Sequence, residues 1–262
     1  MMAAPRKPPY NSRVVDAASP TLSVIIPCFN ERTRLRRTLD EVAGWARAHG
    51  RAIEIIVADD GSTDGTPDLT REWAAVIPGL RLVALPHNTG KGAAVRAGLR
   101  AARGGMRLCI DADGAVPFED IAVLESAIAA GADVAVGSRV LDPSIVKARL
   151  HRQFFGFFFR ALVRALLVRT VNDTQCGFKL FRAEVVEPLF AEQRVQGFAF
   201  DVEVIGRAER AGLHVAETAV RWREQPGSKV RVLRDGPMML LDVLRLRMAL
   251  GPLPAAIGRH PR

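Results

Sequence analysis

Apolar and polar positions alternate with two periods along residues 22–137. Leu22–Pro27, Ile53–Ala58, Leu80–Leu85, Arg107–Asp111 and Asp133–Gly137 are short apolar runs that predict five strands. Helical spacing lies between them. In Arg34–His49, Leu35, Leu39, Val42 and Trp45 recur every three to four residues. Thr66–Val76, with Pro67 in its first turn, Lys91–Ala102 and Pro117–Ala130 predict three more helices. Short connections between alternating strands and helices imply parallel βαβ units. The predicted fold is therefore α/β, a doubly wound, mostly parallel sheet flanked by helices.

After Arg139 the rhythm changes. Residues 150–171 predict a helix rich in Phe and Arg, and Asn172–Lys179 a polar turn. Glu184–Phe190 and Ala199–Ala211 predict helices, His214–Trp222 a strand, Gln225–Lys229 a loop and Asp235–Leu250 a last helix, so the C-terminal part is largely helical. The implied division is a disordered basic leader over 1–20, one α/β domain over 21–233, and a C-terminal amphipathic helix and tail over 234–262.

Composition narrows the partners. The 262 residues are 48% apolar, enough for one large domain, and carry a formal net charge of +9. That balance favours anionic partners: nucleic acid, acidic lipid or phosphorylated small molecules. Aromatic residues make up 6% with a single Tyr, and no nucleic-acid motif is present, which argues against the first. Cys28, Cys109 and Cys176 lack metal-ligand spacing and read as reduced core residues. No signal peptide and no run of about 18 apolar residues is found, so no membrane span is expected.

Chemistry concentrates where predicted strands end, the place at which α/β sheets bind ligands. Asp111 and Asp113 end the fourth strand. At positions i and i+2 of an extended chain they would share one face, and two such carboxylates repel unless a cation joins them. Hard divalent ions take carboxylate together with phosphate oxygens, so a metal-held diphosphate is the functional reading and a solvated acidic turn the alternative. After the second strand, Asp59 or Asp60 can accept a hydrogen bond from a base N–H or a ribose, while Gly61, Gly65 and Thr66 suit a turn and a helix cap. His87–Gly92, with Lys91, opens a helix and fits either a phosphate contact or a plain tight turn.

Four strings occur in order: Ser23-Val-Ile-Ile-Pro-Cys-Phe-Asn-Glu31, Val57-Ala-Asp-Asp-Gly-Ser-Thr-Asp-Gly-Thr66, Asn88-Thr-Gly-Lys-Gly92 and Asp111-Ala-Asp113. Over roughly residues 22–230 the chain resembles family 2 glycosyltransferases of the GT-A fold. Asp111-Ala-Asp-Gly-Ala115, Asp173-Thr-Gln-Cys-Gly-Phe-Lys179, Gly197-Phe-Ala-Phe-Asp-Val-Glu203 and Trp222-Arg-Glu-Gln-Pro-Gly-Ser-Lys229 are similar to the branch that uses dolichyl or other polyprenyl phosphates, the dolichyl-phosphate β-glucosyltransferases and their relatives.

The resemblance implies roles. Pro27, Phe29, Glu31 and Asp59 would surround the nucleoside, with Asp60, Lys91 and Ala112 also on the nucleotide-sugar side. Asp111 and Asp113 would hold Mg²⁺ or Mn²⁺ and the diphosphate. Arg139 and Arg152 would meet diphosphate or an acceptor phosphate; Asp173, Gln175, Asp201 and Glu203 would face sugar or acceptor; and Ser228 and Lys229 would close over the nucleotide. Asp113, Arg139 and Asp201 are the catalytic candidates. The implied reaction is inverting transfer of a sugar, glucose from UDP-glucose, to a polyprenyl phosphate. That acceptor is already anionic and needs no strong base. A hydroxyl acceptor would need one, with Asp173 or Asp201 as candidates. A basic nucleic-acid binder and a nucleotide-binding regulator without turnover are the readings of another class.

A lipid acceptor requires a membrane surface. Phe154, Phe155, Phe157, Phe158 and Phe159 are interleaved with Arg152, Arg160 and Arg164, and Met238–Leu250 carries Arg245 and Arg247. Either segment suits an interfacial helix, or a core helix with snorkelling Arg. Eukaryotic members of that branch carry an N-terminal membrane anchor, and residues 1–20 do not read as one. Peripheral attachment from the cytoplasm is the expectation.

Overall fold

A computed structural model describes residues 20–141, 150–225 and 232–251, with side chains from 158 and 235 onward in the two helices that begin at 150 and 232. The strands are β1 (Leu22–Cys28), β2 (Ile53–Asp59), β3 (Leu80–Ala84), β4 (Met106–Cys109), β5 (Val134–Ser138), β6 (Lys179–Arg182) and β7 (Val215–Ala219). The helices are α1 (Arg32–Ala48), α2 (Thr66–Ala74), α3 (Lys91–Ala101), α4 (Ile121–Ala129, entered through a 3₁₀ turn at Phe118–Asp120), α5 (Leu150–Leu166), α6 (Ala183–Phe190), α7 (Phe200–Arg210) and α8 (Val232–Leu250).

The strands form one sheet in the order β3-β2-β1-β4-β6-β5-β7. β1 lies between β2 and β4, and all three are parallel. β2 is buried along its whole length, as a strand covered on both faces must be. Alternation along β1 sends Ile25 into one core and Val24 and Ile26 into the other. The first core also takes residues of α3, α5, α6, α7 and α8; the second takes residues of α1, α2 and α4.

Three expectations need correction. The polar turn expected over Asn172–Lys179 gives way at Lys179 to a strand that the periodicity does not predict, β6, which enters the middle of the sheet antiparallel to both β4 and β5. Its Lys-Leu-Phe-Arg sequence has charged ends and is too short to show a period of two. β4 stops at Cys109, although Ile110 N still donates to Ile25 O at 3.0 Å. Asp111–Asp113 therefore lie in the turn beyond the strand, and strand alternation does not set their directions. The helix expected to reach 171 ends at Leu166, where Glu209 accepts Arg169 N and Thr170 N instead.

Candidate active site

The carboxyl ends of β1, β2 and β4 and the start of α3 converge on one region. The loops after β1 and β2 are fastened to each other. Asn30 N donates to Ser62 Oγ (2.8 Å), Thr63 N to Asn30 Oδ1 (2.8 Å) and Glu31 N to Thr66 Oγ1 (3.0 Å). The Thr66 hydroxyl thus serves Glu31 rather than capping α2, and Asp64 Oδ1 accepts Thr66 N at 3.0 Å. Asn30 takes a positive φ of 54°, a region Asn tolerates better than most residues. Phe29 is left 37% exposed at the strand tip, beside buried Cys28. Glu31 forms an ion pair with Arg34, Nε lying 2.6 Å from Oε2.

The two adjacent aspartates diverge in role. Asp60 accepts Thr89 N and Gly90 N, each at 2.8 Å, so both its oxygens shape the turn that opens α3. Burial raises its carboxyl above the usual range despite those two bonds. Gly61 passes the same turn so closely that a Cβ would lie 2.5 Å from the His87 carbonyl carbon, and its φ is +71°. Asp59 is 1% exposed and accepts Ser62 N at 2.9 Å through Oδ2. Its buried Oδ1 has no hydrogen-bond partner among the described residues. A buried acceptor left open in this way is costly unless a ligand donates to it.

Beyond β4, Ala112 is buried and its carbonyl accepts the Thr38 hydroxyl at 2.9 Å, which fastens the turn to α1. Asp113 Oδ1 accepts Ala115 N at 3.1 Å. Burial and the neighbouring Asp111 charge raise the Asp113 carboxyl. Lys91 Nζ lies 2.6 Å from Asp111 Oδ1. Burial would lift the Asp111 carboxyl, but the ammonium holds it below its ordinary value. Burial opposes the Lys91 charge, and Asp111 and Asp201 more than restore it. Among the described residues no group of three or more Asp, Glu, His or Cys is arranged to hold a metal by protein ligands alone. The two hard carboxylates suit a divalent cation that takes its remaining ligands from a diphosphate.

Across a cleft lined by Glu41, Asp111, Gly114, Ala115 and Trp222 stands Arg139. Asp173 holds it by Nε (2.7 Å), Nη2 (2.8 Å) and its own backbone N (3.0 Å), and the guanidinium lies 5.9 Å from the Trp222 ring centroid. Burial would raise the Asp173 carboxyl, but Arg139 holds it below its ordinary value. Asp173 N in turn donates to Glu217 Oε1 at 2.9 Å. Asp173 therefore orients Arg139 and is itself buried. Nearby in sequence, Gln175 leaves a buried Nε2 without an acceptor among the described residues.

A smaller pocket on the other side of Asp111 is lined by Pro27, Lys91, Cys109, Gly177, Lys179 and Asp201. Lys179 and Asp201 are both nearly buried and paired at 2.6 Å, and Lys179 also donates to Cys176 O. Burial raises the Asp201 carboxyl, against the pull of Lys179. Gly177 and Lys179 belong to the Asp173–Lys179 string but are not among the site residues expected from it. The Gly177-Phe178-Lys179 string carries no signal for such a role; only β6 brings both residues to Asp111 and Asp201. Glu203 is not brought to the site. It is fully buried in α7 and accepts Arg194 N (3.0 Å), Val195 N (2.7 Å) and Arg207 Nε (2.9 Å). The Arg152 side chain, Ser228 and Lys229 lie outside the described residues.

The family profile described as Glycosyl transferase family 2 matches residues 23–190. The chain belongs to that family. Among curated relatives it is similar to a dolichyl-phosphate beta-glucosyltransferase of Dictyostelium discoideum, 35% identical over 240 residues that cover 86% of this chain and 73% of the relative. One from Drosophila melanogaster is 38% identical over 230 residues, covering 82% and 71%. The fold is that of glucosyl-3-phosphoglycerate synthase from Mycobacterium tuberculosis, solved with Mn²⁺, UDP and glucosyl-3-phosphoglycerate. The TM-score is 0.65 at 21% identity, over 90% of this chain and 82% of that one. This family 2 chain thus has the mostly parallel GT-A sheet expected from its strand and helix rhythm, with β6 as its antiparallel insertion.

Proposed function

We propose that the chain transfers glucose from UDP-glucose to the phosphate of a dolichyl-type polyprenyl phosphate, with inversion, at the cytoplasmic face of a membrane. The observation that carries this reading is a single cleft lined by both Asp111 and Arg139, the latter held by Asp173, with Asp113 in the same turn as Asp111. The names of the curated relatives support the donor and the acceptor.

Pro27, Phe29 and the open Asp59 Oδ1 take the nucleoside, the last accepting the base or ribose donor. Asp111 and Asp113 would hold Mg²⁺ or Mn²⁺, which supplies positive charge against the diphosphate. Lys91, at the start of α3, brings its ammonium against Asp111 and adds positive charge to the same region. Arg139, with Arg152, orients the acceptor phosphate. An oxygen of that phosphate forms the new bond to the anomeric carbon as the bond to the β-phosphate breaks, and UDP carries away the electron pair. The acceptor oxygen is already ionised, so no side chain must remove a proton. Charge developing on the leaving group is met by fixed cations, the effect that most often dominates such barriers. Transfer to a hydroxyl is less well supported. Asp173 is committed to Arg139 and Asp201 to Lys179, which leaves neither placed as a free base.

Peripheral attachment is consistent with the helices: among the described residues none is long and apolar enough to cross a membrane. The deciding experiment supplies labelled UDP-glucose, Mg²⁺ or Mn²⁺ and dolichyl phosphate to the purified chain and follows label into the organic phase. Glucosyl lipid is the expected product. Label that stays aqueous across a panel of nucleotide sugars would reject the lipid acceptor.

A further inference from the structure

Helix α8 has two apolar faces. One is fully used: Met239, Val243 and Leu246 are buried and belong to the core shared with α5 and α7. The opposite face is apolar as well. Met238 (63% exposed), Leu241 (46%), Leu244 (50%) and Met248 (78%) follow at intervals of three or four residues and form one row. Among the described residues nine large apolar side chains are exposed, and four of them stand in this row, so the face is a concentration rather than scatter. Arg245, 65% exposed, lies within the row, and Arg247 stands at its flank.

We infer that this outer row of α8 is the surface on which the protein lies against a bilayer carrying anionic lipid headgroups. The inner face is packed, so the helix cannot turn or sink deeply. It lies parallel to the surface with Leu and Met inserted among the acyl chains and Arg245 and Arg247 at headgroup level. Charge selects lipid over a second copy of the chain. A self-interface would bring two chains of formal charge +9 together through a face that carries Arg245, whereas an anionic surface complements it.

The placement also orients the active site. Asp242 lies close enough to Glu203 to feel its charge, while Leu250 O accepts Arg210 Nε at 3.1 Å. α8 thus runs alongside α7 in the same direction. α7 begins at Phe200 and Asp201, beside Lys91 and Asp111, so the Met238 end of the row is the end nearer the catalytic cleft. A lipid-borne phosphate would approach from that end. This last step rests on the proposed acceptor; the membrane contact itself does not.

Flotation of the full-length protein with vesicles tests the contact without donor or acceptor. Pure phosphatidylcholine is compared with vesicles containing about 30% phosphatidylglycerol. Wild type should float with the anionic vesicles. The triple change Leu241→Ser/Leu244→Ser/Met248→Ser should lower the bound fraction at least about tenfold with an unchanged thermal melt. Val123→Ser, an exposed apolar position on α4, should bind as wild type. Arg245→Glu/Arg247→Glu provides a second variant that leaves the apolar row intact and should erase the preference for anionic vesicles. Wild type that fails to float, or a triple variant that floats equally, overturns the inference. So does a wild-type dimer in light scattering that the triple change converts to monomer while vesicle binding persists. Vesicle binding without glucosyl-lipid formation would sink the proposed reaction and leave this surface standing.

Discussion

Gly177 passes directly beneath the Asp111 carboxylate, so closely that a Cβ at 177 would overlap it. The contact exists because β6 enters the sheet against β4 and carries the preceding turn across the end of that strand. Gly177→Ala should displace Asp111 from Lys91. We expect kcat/KM to fall about 10²-fold or more, from misplacement of roughly 1 Å at a charged site. Overpacking should cost about 1–3 kcal/mol of stability. Steady-state kinetics with a urea titration checks both, and wild-type turnover in the variant would contradict the contact.

Among the described residues Asp113 accepts one hydrogen bond, from Ala115 N, and it lies within reach of the charges of Asp111, Arg34 and Lys91. Replacing it should leave the fold intact and remove turnover. Asp113→Ala is expected to lose roughly 10³-fold or more in rate. It should also lose the thermal stabilisation that Mn²⁺ with UDP gives the wild type. Near-normal rates would remove the carboxylate pair from the mechanism.

Asp59 presents a buried oxygen with no partner among the described residues. Asp59→Asn should weaken UDP binding by about 10- to 100-fold, the worth of a hydrogen bond to a charged group, with kcat little changed. Calorimetric titration of UDP reads the affinity directly. Unaltered UDP affinity would show that this oxygen does not meet the nucleotide.

The Arg139–Asp173 pair carries a pH dependence. The folded-state carboxyl of Asp173 is depressed, chiefly by Arg139 acting against burial. Its contribution to stability is therefore complete above the ordinary carboxylate range and is lost as pH falls through that range toward the lower folded value. Asp173→Asn should destabilise the protein by about 1–3 kcal/mol near neutral pH, since the bonds from Arg139 lose their buried carboxylate while the guanidinium, 31% exposed, keeps part of its solvation. Urea melts across pH should show the gap to wild type closing in acid. A constant gap would mean that the pair's charge does not matter.

Glu203 supplies a contrast. The resemblance of the Gly197–Glu203 string implies a place for it at the sugar or acceptor. Glu203 instead terminates the Arg194 and Val195 N–H groups and anchors Arg207. Glu203→Gln should cost about 3 kcal/mol of stability, with turnover per folded molecule close to wild type. A KM effect on the acceptor without loss of stability would restore the original placement.

Much of the first half was legible before any coordinates. The predicted runs at Leu22–Pro27, Ile53–Ala58 and Lys91–Ala102 differ from β1, β2 and α3 by a residue, because buried parallel strands and amphipathic helices write strong periods. Asp111 and Asp113 were found for the same reason: polar residues at strand ends stand out against apolar runs. β6 was not legible, since four residues with charged ends have no period of their own. The distinction between Asp59 and Asp60 was also hidden. Adjacent carboxylates look alike in sequence, and only the approach of the Thr89–Gly90 turn engages one and leaves the other's Oδ1 open.

The sequence by itself determined the order of strands and helices apart from β6, the family and the residue types that gather at the strand ends, because these follow from local periodicity and from short strings of neighbouring residues. Tertiary structure alone decided which carboxylates are available. Lys179 neutralises Asp201, Arg139 occupies Asp173, and Glu203 is buried as a cap. It also decided that α8 carries an apolar row on a side that no described residue covers. Such assignments depend on distances between residues far apart in the chain, and charge, burial and exposure are properties of those distances.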